Sequence, residues 1–237
     1  MADEQGLRRD IGFAGSAFLS FNGVIGASIF ALPATLLLDF GAFSPWLFPL
    51  FGLLVLLVAV PFAKVAAYHS GSGGPVAFGA VFGPLASFQL GWLYYVARAT
   101  APAANANVLV TYVAAFLPAV GSGAGRAIAL LFVIGSLMAA NIVGVRPAMR
   151  LLDTLTLLKA LPLIAMAVLA LVISGSGIVL PETPPALTEV EGAALLVLYA
   201  LVGFEANSVP AGETADPRRT IPRAMVTTVI AGAALYF

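Results

Sequence analysis

The chain has no cysteine and a single histidine, His69, among its 237 residues. The first absence rules out disulfides, thiolate nucleophiles and thiolate metal sites. The second leaves no cluster with metal-ligand spacing, and His69 stands beside a glycine-rich loop. Charge is scarce too, at 9% of positions against roughly 25% in soluble domains. Net charge is zero, so nothing argues for nucleic acid as a partner. A membrane-embedded enzyme needs facing bases and carboxylates, and one histidine without cysteine argues against that class.

What fills the chain is hydrophobic: 61% of residues, with a mean hydropathy of +1.03. It reads as an all-α membrane protein crossing the bilayer several times. Residues Met1 to Asp10 are polar, and the apolar stretch after them is too long for a signal-peptide core. They read as a short cytoplasmic tail entering an uncleaved first span. A span takes about 20 apolar residues at 1.5 Å rise. Such stretches fall at 11–38, 45–63, 85–117, 127–145, 151–173 and 190–211, and a seventh begins near Ala224. From Ala224 to Phe237 the helix is only about 21 Å long against a core of about 30 Å. The chain therefore reads as the front part of a longer protein, an incomplete transmembrane domain.

The third span, about 50 Å long as a helix, must tilt or bend, and Pro102 offers the place. Ser70 to Pro75 breaks the chain before it, which leaves the short run Val76–Phe82 to lie along the interface. Arg8, Arg9, Lys64, Arg146, Arg150, Arg218, Arg219 and Arg223 collect on one side, with only Arg126 opposite. The positive-inside rule then places the N-terminus in the cytoplasm, in an inner (plasma) membrane. The outer loop at 174–189, with Glu182 and Glu189, reads as a solvated linker.

Two glycine breaks inside apolar helices carry the functional signal. One lies in Gly23-Val-Ile-Gly26-Ala-Ser28-Ile-Phe-Ala-Leu-Pro33-Ala34, the other in Gly203-Phe-Glu-Ala-Asn-Ser-Val-Pro210-Ala211. Gly26 precedes Pro33 by the same interval as Gly203 precedes Pro210. Unwound backbone costs several kcal/mol per unsatisfied group in hydrocarbon, so it persists only against protein or a polar cavity. Matched interruptions in two parts of a membrane chain point to the substrate site of a secondary transporter. The competing explanation is close helix packing by small residues.

These motifs resemble the amino acid–polyamine–organocation (APC) transporter superfamily. The residues that carry the likeness are Gly26-Ala27-Ser28-Ile29-Phe30 with Leu32-Pro33-Ala34, then Ser72-Gly73-Gly74-Pro75, then Asp216-Pro217-Arg218-Arg219-Thr220-Ile221-Pro222-Arg223. Their order and spacing cover essentially the whole chain. The resemblance implies a partial LeuT-like inverted-repeat fold in which spans one and six are discontinuous. Two departures stand out. Ser28 occupies a position the family usually fills with glycine, which should crowd the backbone. Lys64 replaces an acidic residue common at the end of span two.

The resemblance further implies a substrate site around Val24, Ile25, Gly26, Ala27, Ser28, Tyr199, Val202 and Gly203. Amides near Ala27 and Ser28 would take a substrate carboxylate, at the positive end of a half-helix. Carbonyls of Val24, Tyr199 and Val202 would take the ammonium, and Tyr199 would close over the substrate. Lys159 in span five would carry the coupling proton, or else be a permanently charged lysine pinning span five to span one. Inside a membrane it costs about 2.5–3.5 kcal/mol. Arg98 either lines the path, pairs with a carboxylate such as Glu205, or snorkels. Glu205 is a gate, a lining residue, or a partner for broken backbone. Of Asn105 and Asn107, two apart on one helix, at most one should point inward. Glu213 and Asp216 read as a solvated cluster at a helix end.

The expected activity is secondary transport of an amino acid with protons as coupling ion, no other cofactor, no metal and no sodium site asserted. Alternatives are an exchanger without net proton movement and a non-transporting membrane subunit or scaffold. The expected partners are a small amino acid substrate and membrane lipid. Small, aromatic and neutral lining residues favour a neutral or apolar amino acid over a polyamine.

Overall fold

The computed structural model describes residues 9–69, 71–143, 145–173 and 185–237. Arg8, Ser70, Glu182 and the side chains of Arg146 and Arg150 lie outside the described residues. Regular structure among the described residues is helical apart from one backbone bridge, Ile11 with Thr214. The helices are α1 Phe13–Val24, α2 Ser28–Phe40, α3 Leu47–Tyr68, α4 Pro75–Gly79, α5 Pro84–Ala114, α6 Gly123–Val143, α7 Val145–Ile173, α8 Leu187–Leu201 and α9 Pro217–Tyr236. Four stretches are long and apolar enough to cross a membrane: Ser28–Tyr68, Gly123–Ala140, Thr154–Ile173 and Leu187–Ser208. The protein is an integral membrane protein.

Several features differ from the hydropathy reading. Span six, expected as 190–211, is α-helical only to Leu201 and continues as short 3-10 turns at Phe204–Ser208 and Ala211–Glu213. Helix α9 begins at Pro217 rather than near Ala224. Proline at the first helical position is favourable because its missing N–H has no partner there anyway. Asp216 precedes it in a left-handed conformation, with φ 43°, and its carbonyl accepts the Arg219 and Thr220 N–H groups. The arginines in this opening turn lower the hydropathy and hid the start. With 20 residues, α9 is about 30 Å long, not about 21 Å. Helix α5, in turn, runs unbroken through Pro102 for 31 residues.

The chain divides into two compact units, Met1–Trp92 with Ala160–Phe237, and Leu93–Lys159. In the first, α9 packs along α1 and α3. Lipid is as apolar as leucine, so this contact depends on close packing rather than on escape from water. Small residues make it close. A Cβ added to Gly52 would stand 2.8 Å from the Ala233 Cβ, and one on Gly232 would stand 3.1 Å from Val24 Cγ1. On α3 the buried residues Leu47, Phe51, Val55, Ala59, Ala63 and Ala66 recur every three or four positions and face this core. Leu53 and Leu57 project from its other side.

In the second unit, the α6 residue Arg126 reaches back to α5. Its guanidinium donates to Asn107 Oδ1 at 3.0 Å and to Thr111 Oγ1 at 3.2 Å. Asn107 is thus a structural tie between two helices. Asn105 is exposed on α5.

Candidate substrate site at the two helix breaks

The first break is short. Helix α1 closes with the Ile25 N–H donating to the Phe21 carbonyl at 2.9 Å. Ile25 then turns the chain (ψ 84°), and the Gly26 N–H donates to the Val24 carbonyl at 2.8 Å. Helix α2 starts at Ser28, after Ala27 in a helical conformation. The first N–H groups of α2 have no carbonyl one turn behind them, so they form the positive end of a helix dipole.

The second break is longer and depends on one glycine. Val202 is extended, and Gly203 has φ 119°, a conformation that side chains rarely adopt. The freed Gly203 N–H donates to Glu205 Oε2 at 3.1 Å. Glu205 thus accepts a backbone N–H that the break exposes.

The two breaks meet. A Cβ on Gly23 would overlap the Gly203 carbonyl, and a Cβ on Gly203 would stand 2.9 Å from the Val24 N–H nitrogen. Backbone lies directly on backbone here, which only two glycines permit. Buried hydrogen bonds fix the register. Ser20 Oγ donates to the Phe204 carbonyl at 2.8 Å, and Asn207 Nδ2 donates to Ser16 Oγ at 2.9 Å and to the Ile221 carbonyl at 3.2 Å. Ser16, Ser20 and Gly23 thus form one small, polar stripe of α1 facing the second break. Their spacing of four and three is visible in the sequence. Gly26 is in fact roomy: a Cβ there would meet only Ser28 Oγ, at 3.8 Å.

Other expected residues take different places. The Val24 carbonyl accepts the Tyr236 hydroxyl at 3.0 Å besides the Gly26 N–H, so both of its lone pairs are engaged. Sequence reasoning missed Tyr236, which belongs to the seventh span and is remote in the chain. Ile25 is fully buried. Tyr199 and Val202 are half exposed, at 51% and 48%. Lys159 is half-buried on α7, next to buried Ala160. Arg98 lies 4.8 Å from the ring centre of Tyr94, one turn back, and donates to its hydroxyl at 2.7 Å.

The remaining motifs brace the second break. Gly73 and Gly74 both have positive φ, and the Gly73 N–H donates to the Val209 carbonyl at 3.1 Å. A side chain on Gly74 would stand 2.8 Å from Ser208 Oγ. The Gly-Gly-Pro segment is therefore a bare-backbone cradle for residues 208 and 209. At the start of α1, the Ile11 N–H donates to the Glu213 carbonyl and the Ala215 N–H to the Ile11 carbonyl. The chain entering the first broken helix is thereby tied to the chain leaving the second.

Comparisons with known proteins agree with this geometry. Residues 11–237 match the amino acid permease family. The chain is similar to the cadaverine/lysine antiporter of Escherichia coli, with 29% identity over 216 residues, 88% of this chain and 48% of the relative. It is also similar to an L-methionine/branched-chain amino acid exporter of the same organism, with 26% identity over 98% of this chain and 55% of the relative. A branched-chain amino acid permease of Bacillus subtilis shares 26% identity over 98% of this chain and 54% of its own. The chain spans about half the length of the curated relatives it matches. The family and these relatives are transporters by name, not enzymes. Matched from Ile11 to its last residue, and with the motifs that carry the resemblance gathered on two breaks in backbone contact, the chain belongs to the amino acid permease family of the APC superfamily.

Proposed function

We propose that this chain forms one wall of a secondary active transporter for amino acids, with the substrate held at the two breaks. The observation that carries this reading is the backbone contact of Gly23 with Gly203, which brings two interrupted helices to one place. The amides of Ala27 and Ser28 offer donors to a carboxylate. The carbonyls of Tyr199 and Val202, at the C-terminal end of α8, offer acceptors to an ammonium. Val24, with its carbonyl already engaged twice, acts as a strut that holds the end of α1 in place. Tyr199, half exposed beside the break, covers the substrate. Neutral lining residues favour a neutral or apolar amino acid, in keeping with the relatives named for methionine and branched-chain substrates.

Protons are the coupling ion in this reading, carried by Lys159. The cation bias supports an inner membrane location with the N-terminus inside. The similarity to an antiporter favours a second reading, exchange of two substrates without net proton movement. Flux of radiolabelled methionine, leucine and lysine into liposomes bearing the complete protein decides between them. Proton coupling predicts accumulation driven by an inward pH gradient with no substrate inside. Exchange predicts uptake only into liposomes preloaded with a counter-substrate. Absence of flux under both conditions would reject transport of these substrates.

A further inference from the structure

Away from the breaks, three helix ends of the first unit border an open groove of about 670 Å³. Phe13, the first residue of α1, closes one side. Val60 and Lys64 come from the final turns of α3, and Arg223 and Val226 from the opening turns of α9. Among the described residues, no carboxylate lines the groove. Lys64 and Arg223 are both exposed, and neither is ion-paired among the described residues. Two cations turned toward one space repel each other, and an anion placed between them removes that cost.

The walls indicate what kind of anion. Lys64 ends an exposed stripe of α3 through Leu53, Leu57 and Val60, at helical spacings of four, three and four. Arg223 heads a matching stripe of α9 through Val226 and Ile230, the latter 53% exposed. Each cation thus sits at the end of an exposed apolar track along its own helix. A free phosphate would use the cations and leave the tracks bare. A phospholipid uses both: its phosphodiester lies between the two cations and its acyl chains follow the tracks. Basic pockets between membrane helices recognise anionic headgroups in this way. Lys64 and Arg223 are the charged residues of the described lining, and both are cations.

We propose that Lys64 and Arg223, with the apolar tracks below them, form a binding site for one anionic phospholipid. This inference is independent of the transport reading. Native mass spectrometry of the chain, released from micelles holding equal amounts of phosphatidylglycerol and phosphatidylethanolamine, tests it. A retained phosphatidylglycerol adduct in clear excess over phosphatidylethanolamine is expected. The double variant Lys64→Gln/Arg223→Gln should lower that adduct roughly tenfold or more, while Lys64→Arg/Arg223→Lys keeps it. Equal retention of the two lipids, or an undiminished adduct in the glutamine variant, would overturn the proposal. So would displacement of the lipid by millimolar inorganic phosphate, which would mark a site for a free anion. Should the glutamine variant fail to fold, high salt on the unaltered chain decides: loss of the preference supports the site and its persistence contradicts it.

Discussion

Alanine at Gly203 should destabilise the chain by about 2–5 kcal/mol, while alanine at Gly26 should change stability by less than about 1 kcal/mol. The contrast follows from two independent penalties at one site. Gly203 has φ 119°, where a Cβ is strained whatever the space around it. That Cβ would also overlap the Gly23 carbonyl. Neither penalty exists at Gly26, where the nearest atom lies 3.8 Å away. Thermal unfolding of both variants in detergent, followed by circular dichroism, measures the difference. Equal melting temperatures for the two variants would show that the breaks do not pack as described. Gly23→Ala should also destabilise, since its Cβ would overlap the Gly203 carbonyl, but it carries only this one of the two penalties.

Replacing Lys159 with glutamine should lower pH-driven accumulation of substrate by the complete protein roughly tenfold or more, while exchange at equal pH persists. Glutamine keeps a polar group on α7 but has no proton to carry. The informative companion is Lys159→Arg. Arginine preserves the positive charge yet is never deprotonated in a protein, so it can act as a pin but not as a carrier. A structural lysine predicts rescue by arginine, and a proton-coupling lysine predicts none. Undiminished pH-driven uptake in Lys159→Gln, or full rescue by arginine, would remove the coupling role.

The parts of this architecture that show in the sequence are those encoded locally. The interruption of the first helix is written in Gly26-Ala27-Ser28, and the strain at the second in Gly203. What could not be seen depends on partners far apart in the chain. That the Gly203 backbone presses on Gly23 rather than on Gly26 is a fact of how α1 is rotated, and glycine content alone does not fix that rotation. Tyr236 reaches the Val24 carbonyl across 212 positions, and no periodicity announces such a bond. Asn207 is similar, since its two buried hydrogen bonds join α1 and α9 to a turn between them. The start of α9 was missed for another reason. Hydropathy finds the part of a helix that lies in lipid, whereas capping and proline at the first position decide where the helix begins.

Most of the motif residues prove to be scaffolding around the breaks. Glu205 holds the Gly203 amide, Gly74 gives room to Ser208, and Ser72 accepts the Gly212 N–H at 3.3 Å. Glu205 and Ser72 address backbone groups that a continuous helix would have satisfied by itself. In the proposed reading, the amides that open α2 and the carbonyls that end α8 are the groups offered to the substrate.

An experimental structure of the complete protein with its amino acid bound tests this account most directly. The account predicts the carboxylate within hydrogen-bonding distance of the Ala27 and Ser28 amides, and the ammonium beside the Tyr199 or Val202 carbonyl. A ligand bound elsewhere, or residues 20–34 and 199–211 running as unbroken helices with Gly23 and Gly203 apart, would contradict it.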